Sequence, residues 1–187
     1  AFLHKKYPEA GPRIISGDFL AYDFSTITEG PLAIIGNFPY NISSQIVFTL
    51  IDKRDKIPLM VGMFQKEVAE RLGAKPRTKD YGILSVITQA YFDVEYLFTV
   101  DEHVFIPPPK VKSGVVRLTR KKTELGCDPK KFKQVVKLAF NQRRKKLSNA
   151  ISSLVSDKNL IVNYADKRAE ELSVEDFVKL THILLGE

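Results

Sequence analysis

Short apolar runs, separated by polar turns, predict alternating strands and helices over the first two thirds of the chain. Strands are expected where a run of apolar or alternating residues ends in polar ones. The predicted strands are 13–18, 31–37, 57–64, 94–100 and 113–120, the last two pairing like a hairpin. Apolar positions three and four residues apart predict the helices. These are 43–52 with Ser43 or Ser44 as N-cap, 65–72 ending before Gly73, and 82–92. This alternation is typical of an α/β fold.

The last third of the chain has a purely helical pattern. Asp128 as N-cap and Pro129 in the first helical position predict one helix start, and Ser173 predicts another. The predicted helices are 128–140, 145–155 and 173–185. We therefore predict an α/β sheet domain over residues 1–121 and a small all-helical domain over residues 122–187.

The second predicted strand ends in the sequence IIGNFPY, residues 34–40. The carboxyl end of a strand in an open α/β sheet is a usual place for a ligand. The exocyclic amine of a nucleobase is a poor nucleophile, because its lone pair is delocalised into the ring. The side-chain oxygen of Asn37 and the carbonyl oxygen of Pro39 could turn that lone pair toward an electrophile, and the Tyr40 ring could stack on the base. The same four residues are also typical of a simple turn.

Positive charge is concentrated in one part of the chain. The net charge is +7, from 29 Lys and Arg against 22 Asp and Glu. Residues 110–150 contain 14 of these cations and two acids, so the rest of the chain carries a net charge of −5. Four consecutive cations, Arg143, Arg144, Lys145 and Lys146, repel one another unless a polyanion lies beside them. We expect them to contact nucleic-acid phosphates, the alternative being a solvated helix surface.

Composition narrows the class of protein further. With 44% hydrophobic residues the chain can form a core, and no stretch has the length of a membrane span. The single Cys127 excludes an internal disulfide and favours a reducing, cytosolic compartment. His4, His103 and His182 are far apart, so we expect no metal site. The chain opens on Ala1 within an apparent helix, and we expect part of the native N-terminus to be missing.

Several blocks of sequence carry a resemblance to a known family. The central block is GNFPYNISSQIVFTL at 36–50. The others are GDFL at 17–20, MFQKEVAERLGAKPRTKDYGILSV at 63–86, VFIPPPKVKSGVVRL at 104–118, AFNQRRKKLSNAI at 139–151 and RAEELSVEDFVKL at 168–180. Taken in their order along the chain, these blocks resemble the small-subunit ribosomal RNA adenine-N6 dimethyltransferases of the KsgA type. The resemblance implies a Rossmann-like class I methyltransferase domain followed by a helical RNA-docking domain.

The resemblance also implies the cofactor and its contacts. S-adenosylmethionine would be the methyl donor, and Asp18 of the GDFL block would contact its adenine, with Phe19 beside it. Asn37 and Phe38 would lie next to the cofactor as well, Phe38 standing where the family more often has leucine. The Gly-rich loop and the ribose-binding acid of the family have no counterpart in this sequence, which agrees with a missing N-terminal part.

The implied acceptors are two adjacent adenines near the 3′ end of 16S rRNA, in the small subunit or its precursor, each dimethylated during ribosome biogenesis. Asn37 and the Pro39 carbonyl would orient the target amine, while Tyr40 and Phe105 would sandwich the flipped adenine. Three prolines after Ile106 make the arm that carries Phe105 stiff. We expect a monomer that does not bind a membrane.

The cations expected to contact RNA phosphates lie in two places: the run of four consecutive residues, and the polar loop after the helix predicted over 65–72. They are Arg143, Arg144, Lys145, Lys146, Lys75 and Arg77. Two alternatives to this function remain. One is a 23S rRNA adenine-N6 methylase of the macrolide-resistance type, and the other is a non-catalytic RNA-binding assembly factor that has lost use of the cofactor.

Overall fold

A mixed four-stranded sheet is the centre of the computed structural model, which describes residues 2–142, 144–155 and 157–186, apart from the Lys158 side chain. The strands are β1 (Ala33–Asn37), β2 (Leu59–Gln65), β3 (Phe92–Val100) and β4 (Ser113–Arg120). Their order across the sheet is β1-β2-β4-β3. β1 and β2 are parallel, and β4 is antiparallel to both of its neighbours. The predicted α/β fold and the predicted β3–β4 pairing are confirmed.

Helices cover the sheet and form the remainder of the described chain. They are α1 (Phe2–Lys6), α2 (Ser43–Asp52), α3 (Lys66–Leu72), α4 (Ile83–Tyr91), α5 (Pro129–Asn141), α6 (Leu147–Ala150) and α7 (Val174–Leu185). Asp128 caps α5 by accepting hydrogen bonds from two backbone N–H groups, and Ser173 caps α7, as predicted. None of the helices in the described ranges combines the length and apolar character that crossing a membrane requires.

The crossover from β1 through α2 to β2 positions the strand end that the sequence singled out. Ile46, Val47, Leu50 and Ile51 form the buried stripe of α2 and are at most 5% exposed. On β2, Met60 and Phe64 are fully buried, so this face of the sheet and the helix share one core. Parallel strands need such a crossover, and it brings the chain from the carboxyl end of β1 directly into α2.

The hydrophobic core continues from the sheet into the helices that follow residue 121. The Tyr81 hydroxyl, just before α4, donates a hydrogen bond of 2.8 Å to the backbone oxygen of Leu172. The Tyr81 ring lies edge-on to Phe140 of α5, and Phe140 stacks on Phe177 of α7. These side chains belong to one buried cluster. The division of the chain at residue 121 into two domains therefore stays a prediction.

Two strand predictions need correction. Residues 13–18 form no strand, because the Ile14 N–H closes a turn on the Gly11 carbonyl and the segment makes no ladder with β1. β1 was expected to be buried, but in the described part of the chain it pairs only with β2, and Ile35 is 83% exposed. Side chains of a strand point to the two faces of the sheet, so this exposure means that no described element covers the sheet face at Ile35.

Two helix predictions also need correction. Neither Ser43 nor Ser44 caps α2, because a 3-10 turn over Tyr40–Ile42 precedes it and Ser43 is already helical. The Ser43 hydroxyl instead donates back to the Tyr40 carbonyl at 2.9 Å. The helix predicted over 145–155 is limited to α6, because the β-branched Ile151 and the two serines that follow it favour a turn over helix continuation.

Candidate active site

The loop Asn37–Tyr40 leaves the carboxyl end of β1 at the edge of the sheet. Asn37 is the last strand residue and pairs in register with Met63 of β2. The Phe38 N–H donates a hydrogen bond of 3.2 Å to the Met63 carbonyl, so the loop is held to β2 just beyond the strand. The predicted position of the motif is thus confirmed, and its backbone is fixed by the neighbouring strand.

Two oxygen acceptors in this loop are available to a ligand. Asn37 is exposed, and its side-chain amide has no hydrogen-bond partner among the described residues. The Pro39 carbonyl receives only long contacts of 3.4 Å, from the Ile42 N–H and the Ser43 hydroxyl. A carbonyl oxygen with such weak partners retains capacity to accept a stronger hydrogen bond. The loop therefore offers the two acceptors that an amine needs for orientation.

Tyr40 is fixed by a contact that the sequence did not reveal. Its hydroxyl is 2.5 Å from the Oγ of Ser113, the first residue of β4. Ser113 is fully buried and lies 73 residues further along the chain. It belongs to the block that resembles the family motif, but no spacing rule in the sequence connects it to Tyr40. The hydrogen bond fixes the orientation of the tyrosine ring.

A cavity next to this loop has the predicted cofactor residue at its rim. Its volume is about 200 Å³, and its walls are mostly apolar. The lining residues are Ile15, Gly17, Asp18, Phe19, Tyr22, Phe24 and Ile27. One carboxylate oxygen of Asp18 accepts the Leu20 N–H at 2.9 Å, which fixes the side chain. The other oxygen has no partner among the described residues, so this cavity offers aromatic walls and one acceptor to a purine with an exocyclic amine.

An aromatic cluster connects the cavity with the Asn37–Tyr40 loop. The Phe19 ring lies edge-on to Phe38 with centroids 5.6 Å apart, and Phe38 stacks on Phe64 at 5.3 Å. Phe38 is only 8% exposed, so its predicted contact with the cofactor stays a prediction. Gly62 of β2 leaves the space for this stack, because a Cβ there would lie 2.7 Å from Phe38 and 2.9 Å from Phe64.

Phe105 lies in the segment that leads into β4 and hence toward Ser113. Its N–H donates to the Glu102 carbonyl at 3.3 Å, and its side chain is half-buried. At the end of the same segment the Lys112 carbonyl accepts the Lys66 N–H at 2.9 Å. The rings of Phe105 and Tyr40 do not contact each other in the described structure. Their joint role around a flipped base stays a prediction.

The cations predicted to bind RNA differ in their surroundings. Arg143 lies outside the described residues. Arg144 and Lys145 are exposed, whereas the Lys146 ammonium is 2.7 Å from an Asp166 oxygen. In the loop after α3, Lys75 is exposed. The Arg77 N–H donates to the Glu170 carbonyl at 2.7 Å, so Arg77 also attaches this loop to the helical part of the chain.

One acidic group near Phe105 is already paired with an internal cation. Asp101, Glu102 and His103 place possible ligand atoms within 4.8 Å of one another. The Lys112 ammonium, 2.9 Å from Asp101, and the His103 N–H lower the pKa of the Asp101 carboxyl through their hydrogen bonds. Because Lys112 already neutralises Asp101, we assign this group no metal-binding role.

The α/β sheet thus places the Asn-Phe-Pro-Tyr loop at the end of β1, beside the cavity that Asp18 lines. The chain belongs to the ribosomal RNA adenine dimethylase family, whose sequence profile matches residues 2–185. Enzymes of this family use S-adenosylmethionine as the methyl donor. The prediction of the family made from the sequence blocks is confirmed.

Curated relatives and solved structures agree with this assignment. The chain is 54% identical over 188 positions to the ribosomal RNA small subunit methyltransferase A of Cytophaga hutchinsonii, covering 100% of this chain and 73% of that protein. It is 57% identical over 183 residues to the protein of that name from Flavobacterium johnsoniae, covering 96% of this chain and 70% of that one.

Two crystal structures share the fold at low sequence identity. A dimethyladenosine transferase from Plasmodium falciparum superposes with a TM-score of 0.78 at 24% identity, covering 95% of this chain and 75% of that one. The 23S rRNA methyltransferase ErmE superposes with a TM-score of 0.69, also at 24% identity, covering 98% and 76%. At this identity the likeness concerns the fold alone. It supports the class I methyltransferase architecture.

Proposed function

We propose that this chain transfers methyl groups from S-adenosylmethionine to N6 of two adjacent adenines near the 3′ end of small-subunit rRNA, during ribosome biogenesis. The acceptor would be 16S rRNA in the small subunit or its precursor. The observation that carries the proposal is the pair of available acceptors, the Asn37 amide oxygen and the Pro39 carbonyl, at a strand end next to the Asp18 cavity. We also propose that the enzyme is a monomer and acts in the cytoplasm.

The Asn37 and Pro39 oxygens would act on the amine of the target base. Each accepts one N–H bond of the amine, which favours a pyramidal nitrogen whose lone pair faces away from the ring plane. Because the backbone that carries both acceptors is held to β2 before the base arrives, they would stabilise the transition state more than the flat ground-state amine. The proton released from the product amine needs no strong base, and none of the described residues supplies one at this strand end.

Tyr40 and Phe105 would hold the ring of the flipped adenine. Taking a base out of its stack costs a few kcal/mol, and stacking on an aromatic side chain returns about 1 to 3 kcal/mol. The hydrogen bond to Ser113 keeps the Tyr40 side chain pointing in one direction, so less side-chain freedom is lost when the base binds.

The residues around the cavity fit the adenine end of S-adenosylmethionine. The unpartnered Asp18 oxygen would accept the exocyclic amine, and the Phe19 ring would contact the purine. When bound, this cofactor supplies an electrophilic methyl group on a sulfonium. The Phe19–Phe38 contact lies between the cavity and the loop, so the adenine pocket and the amine acceptors would be held in a fixed relation.

Product mapping would test this function and separate it from both alternatives. The full-length protein is incubated with radiolabelled S-adenosylmethionine and either unmethylated small subunits or unmethylated large-subunit rRNA. We expect dimethylated adenine at two adjacent positions near the 3′ end of the small-subunit rRNA alone. Label in the large-subunit rRNA would indicate the macrolide-resistance type of activity. Binding of small subunits without any label would indicate an assembly factor that has lost catalysis.

A further inference from the structure

One face of α5 carries lysines that make no ion pair within the described residues. Lys130, Lys133 and Lys137, which we call the α5 lysine face, are three and four residues apart and therefore lie on one side of the helix. The opposite side is the buried one, with Phe132, Val135, Val136, Ala139 and Phe140. The helix contains no acidic residue, and none of the three lysines makes an ion pair among the described residues. They are outside the group Arg143–Lys146.

Some other cations on the described surface have carboxylate partners. Lys66 pairs with Glu70, Arg117 with Glu95 and Arg120 with Asp55. Arg71 and Lys112 likewise each meet a carboxylate within 3 Å. The α5 lysine face differs from these positions, because three neighbouring lysines on one side of a helix all lack an ion pair within the described residues.

The free α5 helix is electrostatically unfavourable in two ways. Like charges three or four residues apart on a helix repel one another. The amino-terminal end of a helix also carries partial positive charge, so Lys130 and Lys133 in its first turns are on the unfavourable end. Only Asp128 at the cap offsets this charge. A bound polyanion would relieve both effects.

The α5 lysine face lies next to α2, the helix that follows the Asn37–Tyr40 loop. The Lys133 ammonium lies over the Phe48 ring of α2, 5.5 Å from its centroid. Lys137 lines an open cavity of about 500 Å³ together with Ser44 and Phe48 of α2 and Arg71 of α3. Ser44 is in the first turn of α2, four residues after Tyr40. Lys133 and Lys137 therefore lie beside α2, the helix that follows the Asn37–Tyr40 loop.

We infer that the α5 lysine face binds the sugar-phosphate backbone of the RNA substrate, next to the nucleotide held at Asn37–Tyr40. This inference rests on the proposed function and adds a second phosphate-binding surface to it. Lys130, Lys133 and Lys137 carry three positive charges without an ion pair in the described residues, so the charge of this face suits a polyanion rather than a basic peptide. Phosphate contacts of this kind set the position of RNA without reading its sequence.

The test compares two variants of the full-length protein with equal loss of charge. K130Q/K133Q/K137Q removes the α5 lysine face. The control K5Q/K122Q/K179Q removes three exposed lysines from α1, from the loop after β4 and from α7. Affinity for naked small-subunit rRNA is measured across a series of salt concentrations. The α5 variant should bind about 10-fold more weakly or worse, and the slope of log affinity against log salt should fall by about 2 to 3, as each lost phosphate contact contributes about 1. The control should behave as the wild type.

The thermal midpoint of the α5 variant is a second readout. It should equal or exceed that of the wild type, because the substitutions relieve repulsion in the free helix. Wild-type protein that binds and methylates RNA, with an α5 variant that matches the control in affinity and slope, would overturn the inference while leaving the proposed function intact. Weaker binding to assembled subunits but not to naked RNA would also overturn it, since the partner would then be a ribosomal protein. A wild type without RNA binding would instead refute the proposed function.

Discussion

Tyr40 is held at two points, the end of its side chain and its backbone. Its hydroxyl is bonded to Ser113, and its backbone carbonyl accepts the Ser43 hydroxyl at the start of α2. Because the proposed stacking contact uses the face of the ring, movement of the side chain away from this position would reduce the fraction of time in which the base is correctly held. The hydroxyl therefore has a positioning role, distinct from the contact that the ring makes with the substrate.

Tyr40→Phe and Ser113→Ala in the full-length protein should each lower kcat by about 10-fold, because a small displacement of a positioned base costs rate. Both variants remove the same hydrogen bond, so the double variant should be no slower than the slower single one. Tyr164→Phe removes a hydroxyl beside Asp176, remote in sequence, and serves as the matched control. Single-turnover methyl transfer measures all four. Multiplicative losses in the double variant would mean that the two side chains act separately.

Gly62→Ala should destabilise the protein by about 1 to 3 kcal/mol, because the added methyl meets two stacked aromatic rings and overpacks the core. The Cβ would lie 2.7 Å from Phe38 and 2.9 Å from Phe64. Gly30→Ala is the control, since the nearest atom to its Cβ is 3.9 Å away, in the Thr28 side chain. Urea unfolding of both variants checks the difference. Equal unfolding free energies would show that the aromatic stack yields easily.

The sequence predicted the position of a residue when that residue belongs to a local motif. It did not predict contacts between residues that are far apart in the chain. Asn37, Pro39 and Tyr40 occupy the strand end that their spacing indicated. Ser113 could not be found, because a hydrogen bond across 73 residues depends on the pairing of β2 with β4. The dependence of the aromatic stack on Gly62 was hidden for the same reason. A glycine inside an apolar run shows no sign of what packs above it.

At the scale of secondary structure, short-range chemistry predicted helix ends well only when the chain entered the helix from an extended segment. Asp128 and Ser173 fulfil that condition and act as caps. Ser43 follows a 3-10 turn, so its hydroxyl donates instead of accepting. The strand predicted over 13–18 failed because an apolar run becomes a strand only when a neighbour supplies hydrogen bonds.

The turn between α5 and α6 carries two exposed cations that we expect to bind RNA phosphates. Arg144→Gln/Lys145→Gln should weaken binding to small-subunit rRNA and reduce the salt slope by about 2, while affinity for S-adenosylmethionine stays unchanged. Lys146→Gln should have a smaller effect, because this ammonium is already paired with Asp166. Filter binding across a salt series, with calorimetry for the cofactor, measures both. An unaltered salt slope in the double variant would exclude these two residues from RNA docking.

At the scale of the whole molecule, the buried contacts of Tyr81 join the sheet to the helices. The hydroxyl bonds to Leu172 and the ring packs on Phe140. Burial, with smaller contributions from Glu175 and Asp176, raises the pKa of the Tyr81 phenol well above its usual 10.0. This single residue therefore makes the packing between the two parts of the chain sensitive to alkaline pH.

The unfolding free energy should decline above about pH 10, since the unfolded phenol then ionises while the buried one keeps its proton. Below that pH the contribution of Tyr81 is fully present. Tyr81→Phe should show a shallower decline, although burial of Tyr91, whose pKa is also raised, leaves some of it. The variant also loses about 1 to 3 kcal/mol because the Leu172 carbonyl remains buried without a donor. Urea unfolding from roughly pH 8 to pH 11 measures both effects, with exposed Tyr7→Phe as control. Identical alkaline slopes for wild type and Tyr81→Phe would contradict this explanation.

The most direct measurement of the central claim is methyl transfer to adenine N6 by Asn37→Ala in the full-length protein. Its matched control is Asn41→Ala, which removes an exposed amide four residues further on. Single-turnover rates on small ribosomal subunits are compared at saturating cofactor, with thermal unfolding confirming that both variants are folded. We predict that Asn37→Ala loses about 100-fold or more in rate through loss of one preorganised acceptor, while Asn41→Ala retains the wild-type rate. A folded Asn37→Ala that dimethylates its RNA at a near-normal rate would contradict the proposed mechanism.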